Sequence, residues 1–151
     1  MEVENVHNFR FPKEARLHHR SLVDGLFRSG KSFYEFPFRV TWRLMTNEEL
    51  QKNFRTFVPD NIGKLQLMVT VPKKKRRNAV DRVLMRRRIR EAYRLNRNSL
   101  KELVENMQNT ATISVALIYI HDKNIPYKMV EEKMIALLGK LQSKLEYRSL
   151  S

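Results

Sequence analysis

Hydrophobic positions repeat every second residue in two stretches of this chain, which predicts β-strands. The chain is expected to be extended over residues 31–44, with a break at Pro37, because apolar and polar side chains alternate through residues 38–43. Residues 65–71 alternate in the same way and predict a second strong strand. Residues 112–120 are almost all apolar, which is typical of a strand covered on both faces.

Hydrophobic positions spaced by three and four residues predict three helices. The first is short, with Ser21 as its N-cap and Gly30 at its end. Its apolar face consists of Leu22, Val23, Leu26 and Phe27. The second is long and begins near Asn78, and its apolar face consists of Met85, Ile89, Ala92, Tyr93, Leu100 and Leu103. The third has Pro126 in its first turn, and its apolar stripe consists of Val130, Met134, Leu137, Leu138, Leu141 and Leu145.

The order of these elements predicts an α+β fold. Residues 11–148 are expected to form a single small domain with one mixed β-sheet packed with helices, after a loose segment at residues 1–10. Residues 46–61 read as a polar connector with room for a short helical turn. A strand on each side of the long helix implies a parallel pair, and the general rule for such crossovers is right-handed.

The charge of the chain is concentrated in residues 72–97, which we call the basic stretch. It holds twelve basic and two acidic residues, so its net charge is +10 out of +14 for all 151 residues. Cations at this density repel one another, which favours binding to a polyanion. The phosphate backbone of a nucleic acid is the commonest polyanion. A disordered basic tail is the simpler interpretation, but the helical pattern in the second half of the stretch argues against it.

An arginine stripe runs beside the apolar face of the long helix. It consists of Arg86, Arg90, Arg94 and Arg97, at spacings of four, four and three. A helix of this kind packs through its apolar side and holds guanidinium groups along one edge, where their planar forks can bind two phosphate oxygens each.

Residues 79–94 resemble the basic helix of the protein subunit of bacterial ribonuclease P. That helix reads roughly A-V-x-R-N-R-x-K-R-x-x-R-E-A-[FY]-R, and this chain has AVDRVLMRRRIREAYR. The Arg-Asn-Arg of the family becomes Arg82-Val83-Leu84 here. The resemblance extends from about Phe11 to Leu145, and it includes VPKK before the helix and YRLN at its end.

The resemblance implies a fold and a function. The fold would be like that of the second domain of ribosomal protein S5, with a left-handed βαβ crossover, and here we follow the resemblance over the general rule. The function would be that of an accessory subunit in a ribonucleoprotein endoribonuclease. The catalytic RNA would hold the Mg²⁺ ions and supply catalysis, while the protein would grip that RNA and the 5′ leader of precursor tRNA, with no further protein partner. The protein itself would bind no cofactor or metal.

Two sets of residues are predicted to contact RNA. The set facing the catalytic RNA and the adjoining substrate consists of Lys73, Lys74, Lys75, Arg76, Arg77, Arg82, Arg86, Arg87, Arg90 and Arg94. The set lining a cleft for the leader consists of Phe27, Arg39, Thr41 and Arg43, with Arg90 at its edge. Phe27 is equally compatible with an ordinary core position, and the two strand arginines with solvated charges.

Other functions find less support in the sequence. The four histidines and the paired glutamates have neither metal-ligand spacing nor a catalytic arrangement, and the absence of cysteine excludes disulfides and thiolate chemistry. With no apolar run of about 20 residues and no secretory signal, a cytoplasmic protein without a membrane span is expected. The alternative is a structural RNA-binding protein of the ribosome or of its assembly; sequence-specific DNA binding would need a helix-turn-helix pair that is not visible.

Overall fold

The computed structural model describes residues 11–54 and 57–150, with side chains as far as Arg148. The predicted loose segment, residues 1–10, lies outside the described residues. After a 3-10 turn at Lys13–Ala15, the elements follow in this order: α1 (Arg20–Ser29), β1 (Lys31–Glu35), β2 (Phe38–Met45), α2 (Asn47–Asn53), β3 (Leu65–Thr70), α3 (Ala79–Asn96), α4 (Asn98–Glu105), β4 (Thr112–Tyr119) and α5 (Tyr127–Leu150). No helix within this part of the chain is long and apolar enough to cross a bilayer.

The four strands form one mixed sheet in the order β1-β2-β4-β3. β1 and β2 are antiparallel on either side of the turn at Phe36–Pro37, and β2 and β4 are also antiparallel. β3 and β4 are parallel, so the predicted parallel pair around the basic helix is confirmed. The handedness of this crossover stays a prediction.

One face of the sheet is closed by α3, α4 and α5. Val40, Leu67 and Leu117 point to this side and share a continuous core with the apolar faces of the three helices. The predicted leucine-rich stripe of α5 is buried along its whole length, with every member at most 3% exposed. Because apolar burial supplies most of the stabilisation, this layer is the main core of the protein.

The other face is covered only in part. Leu22 and Leu26 of α1 pack on Met45 and Ala116, and Leu50 of α2 joins the same small cluster. α2 begins with a capping box at Thr46, whose side chain accepts a hydrogen bond from the backbone of the third helical residue. The short helix predicted in the polar connector is therefore confirmed.

The predicted N-cap of α1 is wrong. The helix begins at Arg20 after His19, and no side chain caps it. The hydroxyl of Ser21 instead accepts a hydrogen bond from Asn53 Nδ2 at 2.8 Å and ties α1 to the end of α2. The predicted end at Gly30 is confirmed, and a Cβ at this position would overlap the carbonyl oxygen of Leu26.

The long helix is interrupted, contrary to the prediction. Asn78 caps α3 as expected, since its Oδ1 accepts a hydrogen bond from the backbone N–H of Val80 at 2.9 Å. The helix ends at Asn96, and Arg97 separates it from α4. The Arg97 side chain is 3% exposed and its guanidinium lies 5.7 Å from the centre of the Phe11 ring. Arg97 therefore belongs to the interior, and its predicted place in the exposed arginine stripe is wrong.

Candidate nucleic-acid interface

The loop between β3 and α3 presents the first cations of the basic stretch. A tight turn forms where the backbone N–H groups of Lys75 and Arg76 both donate to the carbonyl oxygen of Pro72 at 3.0 Å. The side chains of Lys73, Lys74, Lys75 and Arg77 are exposed, and none has an ion pair or hydrogen bond to another described residue. The loop is thus short, ordered by its own backbone, and strongly positive.

Arg76 is held inside this loop by three groups. Its guanidinium lies 2.9 Å from the carboxylate of Asp81, donates to Asn124 Oδ1 at 3.0 Å, and donates to the backbone carbonyl of Asp122. Asn124 in turn donates to Asp81 at 2.9 Å and closes the ring of contacts. The Arg76 side chain is only 18% exposed. Its charge is committed to linking three parts of the chain: this loop at residues 71–78, which we call the basic loop, the helix α3, and the β4–α5 loop.

Arg82 completes the same cluster. It donates to the carbonyl oxygens of Arg76 at 2.9 Å and Arg77 at 2.7 Å, so the first turn of α3 holds the preceding loop in place. We call Arg76, Asp81, Arg82 and Asn124 the junction. The two junction arginines were predicted to contact RNA. The structure places Arg76 within the basic loop and Arg82 beside it, with their guanidinium groups already hydrogen-bonded within the protein.

The middle of α3 carries a different group of cations. Arg86, Arg87 and Arg90 make no ion pair or hydrogen bond within the described part of the chain, and we call them the arginine row. Arg88, between them, points the other way and donates to the carbonyl oxygen of Ile125 at 2.6 Å. The row is therefore a set of guanidinium groups whose hydrogen-bonding capacity is available to a ligand.

Arg94 is an intermediate case. It binds the carboxylate of Glu91 through two hydrogen bonds of 2.6 and 3.1 Å. These bonds hold the pKa of Glu91 below its usual value and raise the pKa of Arg94. Both side chains remain partly exposed, so Arg94 carries a charge that its neighbour partly neutralises.

An apolar patch lies at the start of α3. Val80 is 73% exposed and Val83 is 42% exposed, and with Leu84 and the stem of Arg87 they line a shallow cavity of about 360 Å³. Residues 83 and 84 are the two positions where the chain departs from the Asn-Arg of the motif. The departure therefore falls on the solvent-facing side of the helix, beside the arginine row.

The partly covered face of the sheet holds the second predicted set. At the end of this face that the helices leave uncovered, one row of paired residues crosses all four strands. The row consists of Tyr34, Arg39, Ile118 and Thr70. Tyr34 is 63% exposed, and Phe27, on the helix that packs over this face, is 47% exposed. We call this surface the open face. A core position was the competing interpretation of Phe27, and its exposure excludes that interpretation.

Two other predicted members of the open face are engaged. Thr41 is buried, and its hydroxyl lies 2.9 Å from the hydroxyl of Ser32 in a shared hydrogen bond. The guanidinium of Arg43 lies so close to Gly25 of α1 that a Cβ there would overlap it. Arg43 thus seals the contact between helix and strand while remaining partly accessible. Arg90 belongs to α3, which packs on the opposite side of the sheet.

Comparison with known proteins gives the same assignment as the motif. The sequence model of the Ribonuclease P family matches residues 11–142. This chain belongs to the ribonuclease P protein family. The ribonuclease P protein component of Porphyromonas gingivalis, in two strains, is 32% identical over 126 residues, which cover 83% of this chain and 82% of that protein.

Solved structures of ribonuclease P proteins share the fold. The protein from Staphylococcus aureus aligns with a TM-score of 0.55 at 18% identity, over 84% of this chain and 94% of that one. The protein from Thermotoga maritima aligns with a TM-score of 0.55 at 21% identity, over 83% and 96%. The predicted α+β class and the suspected family are therefore both confirmed, and the alternative of a ribosomal protein loses its support.

Two features of this ribonuclease P family member escaped the sequence reasoning. Tyr34 was not predicted on the open face, although alternation along β1 puts it on the same side as Ser32 and, by pairing, beside Arg39. The contacts of Arg76 with Asn124 and Asp122 had no local signal, because those partners lie in a loop more than 40 residues away. Arg82 donates to backbone carbonyls five and six residues before it, which no side-chain pattern in the sequence marks.

Proposed function

We propose that this chain is the protein subunit of ribonuclease P, which binds the catalytic RNA and assists removal of the 5′ leader from precursor tRNA. The arginine row carries this proposal. Its three guanidinium groups lie on one exposed side of a well-packed helix, free of internal partners among the described residues. Arginine forks fixed in this way suit the phosphate oxygens of a structured RNA.

The proposed division of labour leaves the chemistry to the RNA. The described residues include no cluster of three or more acidic or histidine side chains that could hold a metal ion. We therefore assign the Mg²⁺ ions of the reaction to the RNA subunit, and to this chain the tasks of binding and orientation in the cytoplasm. The protein alone is expected not to cleave precursor tRNA.

Reconstitution tests the proposal. The full chain, mixed with the ribonuclease P RNA of the same genome, should cleave a precursor tRNA at the 5′ end of the mature sequence and bind that RNA tightly. The Arg86→Gln/Arg90→Gln variant should bind the RNA more weakly, with a salt slope shallower by about 2. Lys52→Gln/Lys128→Gln, which removes two exposed lysines elsewhere, is the matched control. Equal affinity in both double variants would overturn the assignment of the row, and cleavage by nuclease-free protein alone would overturn the accessory role.

The leader is proposed to lie on the open face. Phe27 and Tyr34 supply exposed rings for base stacking, and Arg39, which pairs with Tyr34 across the strands, supplies an exposed cation. Phe27→Ala should weaken binding of precursor tRNA to the holoenzyme by about 1–3 kcal/mol, the range for one stacked base. Binding of mature tRNA, which lacks the leader, should not change. A loss shared equally by both RNAs would show that Phe27 does not contact the leader.

A further inference from the structure

A second basic and aromatic surface lies at the opposite edge of the sheet from α3. It is a groove of about 980 Å³ between β1 and the C-terminal half of α5, and we call it the edge groove. Its main lining residues are Lys31, Trp42, Ser143, Lys144, Tyr147 and Arg148. None of these belongs to the basic stretch or to the predicted leader cleft.

The edge groove is positive and its lining contains no carboxylate. The ammonium of Lys31 lies 5.7 Å from the centre of the Trp42 ring, and that of Lys144 lies 5.3 Å from the centre of the Phe33 ring. Neither lysine forms an ion pair within the described residues. The rings position the two cations while leaving their charges available, because a cation–π contact does not neutralise charge.

Tyr147 gives the groove an exposed aromatic face. Its side chain is 78% exposed and lies one helical turn beyond Lys144. Most of the ring surface is therefore accessible to a ligand. An exposed ring flanked by cations matches the way proteins bind single strands, in which bases stack on aromatic side chains and lysines follow the phosphates. A duplex has no free base to offer this ring.

The edge groove is separate from the arginine row but continuous with the open face. β1 is one edge strand of the sheet, whereas α3 packs beside β3, the other edge. A smaller cavity of about 350 Å³ shares Lys31 and Arg148 with the groove and reaches Arg43. Glu49 also lines this cavity, and its carboxylate accepts a hydrogen bond from the backbone N–H of Thr46 at 3.0 Å.

We propose that the edge groove is a second RNA-binding site, which takes a single-stranded segment with its phosphates on Lys31 and Lys144 and a base stacked on Tyr147. This goes beyond the proposed function, since it requires neither the arginine row nor the leader on the open face. Single-stranded RNA is favoured over an acidic peptide because a peptide would use the cations but would leave the exposed ring without its stacking partner.

The only tryptophan of the chain makes the test local. Trp42 lines the groove, so its fluorescence reports occupancy there and not on α3. Short oligouridine should shift this fluorescence in the wild-type protein and, with a nearly unchanged midpoint, in Arg86→Gln/Arg90→Gln. The midpoint should rise about tenfold in Lys31→Gln/Lys144→Gln and at least fivefold in Tyr147→Ala, while Tyr147→Phe and Lys52→Gln/Lys128→Gln should match the wild type. Thermal melts check that each variant is folded.

Three outcomes would overturn the proposal. The first is no response of Trp42 to oligouridine in the folded wild-type protein. The second is a midpoint that moves with the arginine row and not with Lys31 and Lys144. The third is a stronger response to polyglutamate, or to a duplex of equal length, than to the single strand. Each of these outcomes would contradict the edge-groove proposal without affecting cleavage of precursor tRNA by the reconstituted enzyme. The two proposals can therefore fail separately.

Discussion

The junction holds two arginines and the arginine row holds three, and the structure uses the two groups in opposite ways. At the junction, Arg76 binds Asp81 and Asn124, and Arg82 donates hydrogen bonds to backbone carbonyls. One to two turns further along the same helix, the members of the row have no such acceptors among the described residues. The difference shows that a count of cations overstates the charge that is available to a ligand.

The largest expected effect is the response of RNA binding to salt. Seven cations of the basic stretch are uncommitted within the described residues: Lys73, Lys74, Lys75, Arg77, Arg86, Arg87 and Arg90. If these alone contact phosphates, log K against log salt should have a slope of roughly −5 to −6, a loss of about a thousandfold or more between about 50 and 200 mM. Filter binding at several salt concentrations measures the slope. A flat response would contradict the phosphate grip altogether, and a slope steeper than about −8 would erase the distinction between junction and row.

The next largest effect should be on stability alone, because the buried side of α3 supports packing and its exposed side supplies the charge for RNA binding. Ile89 is fully buried between two members of the row. Ile89→Ala should cost about 2–5 kcal/mol in the free energy of unfolding, because it removes buried methyl groups and leaves a cavity. At a temperature where this variant is folded, its salt slope should equal that of the wild type, since no cation is lost. Urea unfolding and RNA titration give the two numbers. A stable variant with weakened binding would mean that the two sides of α3 have been exchanged.

Matched substitutions of one arginine from each region test the contrast directly. Arg76→Gln should destabilise the fold by about 1–3 kcal/mol, because it removes charge-assisted hydrogen bonds and the ion-pair partner of Asp81, which would keep only its hydrogen bond from Asn124. Arg87→Gln should change the free energy of unfolding by no more than about 0.5 kcal/mol, because the side chain is exposed. It should nevertheless reduce RNA affinity. Thermal melts and binding assays on both variants suffice. Similar stabilities for the two would remove the distinction between the regions.

The smallest effect concerns Arg94, which lies between the two extremes. Glu91→Gln should remove the carboxylate that partly neutralises Arg94, steepen the salt slope by no more than about 1 and lower stability by no more than about 0.5 kcal/mol. Because the pKa of Glu91 is depressed in the folded protein, the stability from this pair is present above the unfolded pKa and is lost as the pH falls through the folded pKa. The stability difference between Glu91→Gln and wild type should therefore vanish in acid. A difference that persists in acid strong enough to protonate Glu91 in the folded protein would point to another cause.

Local patterns predicted the elements of the fold because those patterns are set by neighbours in the chain. Alternation located β2 and β3, the spacing of leucines located α5, and Asn78 marked the start of α3. The failures have non-local causes. Arg97 interrupts the helix where Phe11, from the start of the described chain, covers its guanidinium. Ser21 does not cap α1, because Asn53 binds its hydroxyl.

The candidate interface follows the same division. Motif and charge identified the right helix and loop, but they could not separate cations with internal partners from those without. Asp122 and Asn124 become acceptors for Arg76 only when the β4–α5 loop folds against the basic loop. Exposure of Phe27 likewise depends on how α1 tilts over the sheet, which no periodicity encodes.

The parallel pairing of β3 with β4 requires folding to close a long loop. The two strands are joined by residues 71–111, which include the whole basic stretch, so the sheet cannot close until the most self-repelling segment of the chain has been drawn together. At low ionic strength this repulsion should slow refolding, and a polyvalent anion such as sulfate should speed it by screening. An RNA that meets the chain early would act in the same sense, so the ligand of the finished protein would also hasten its formation.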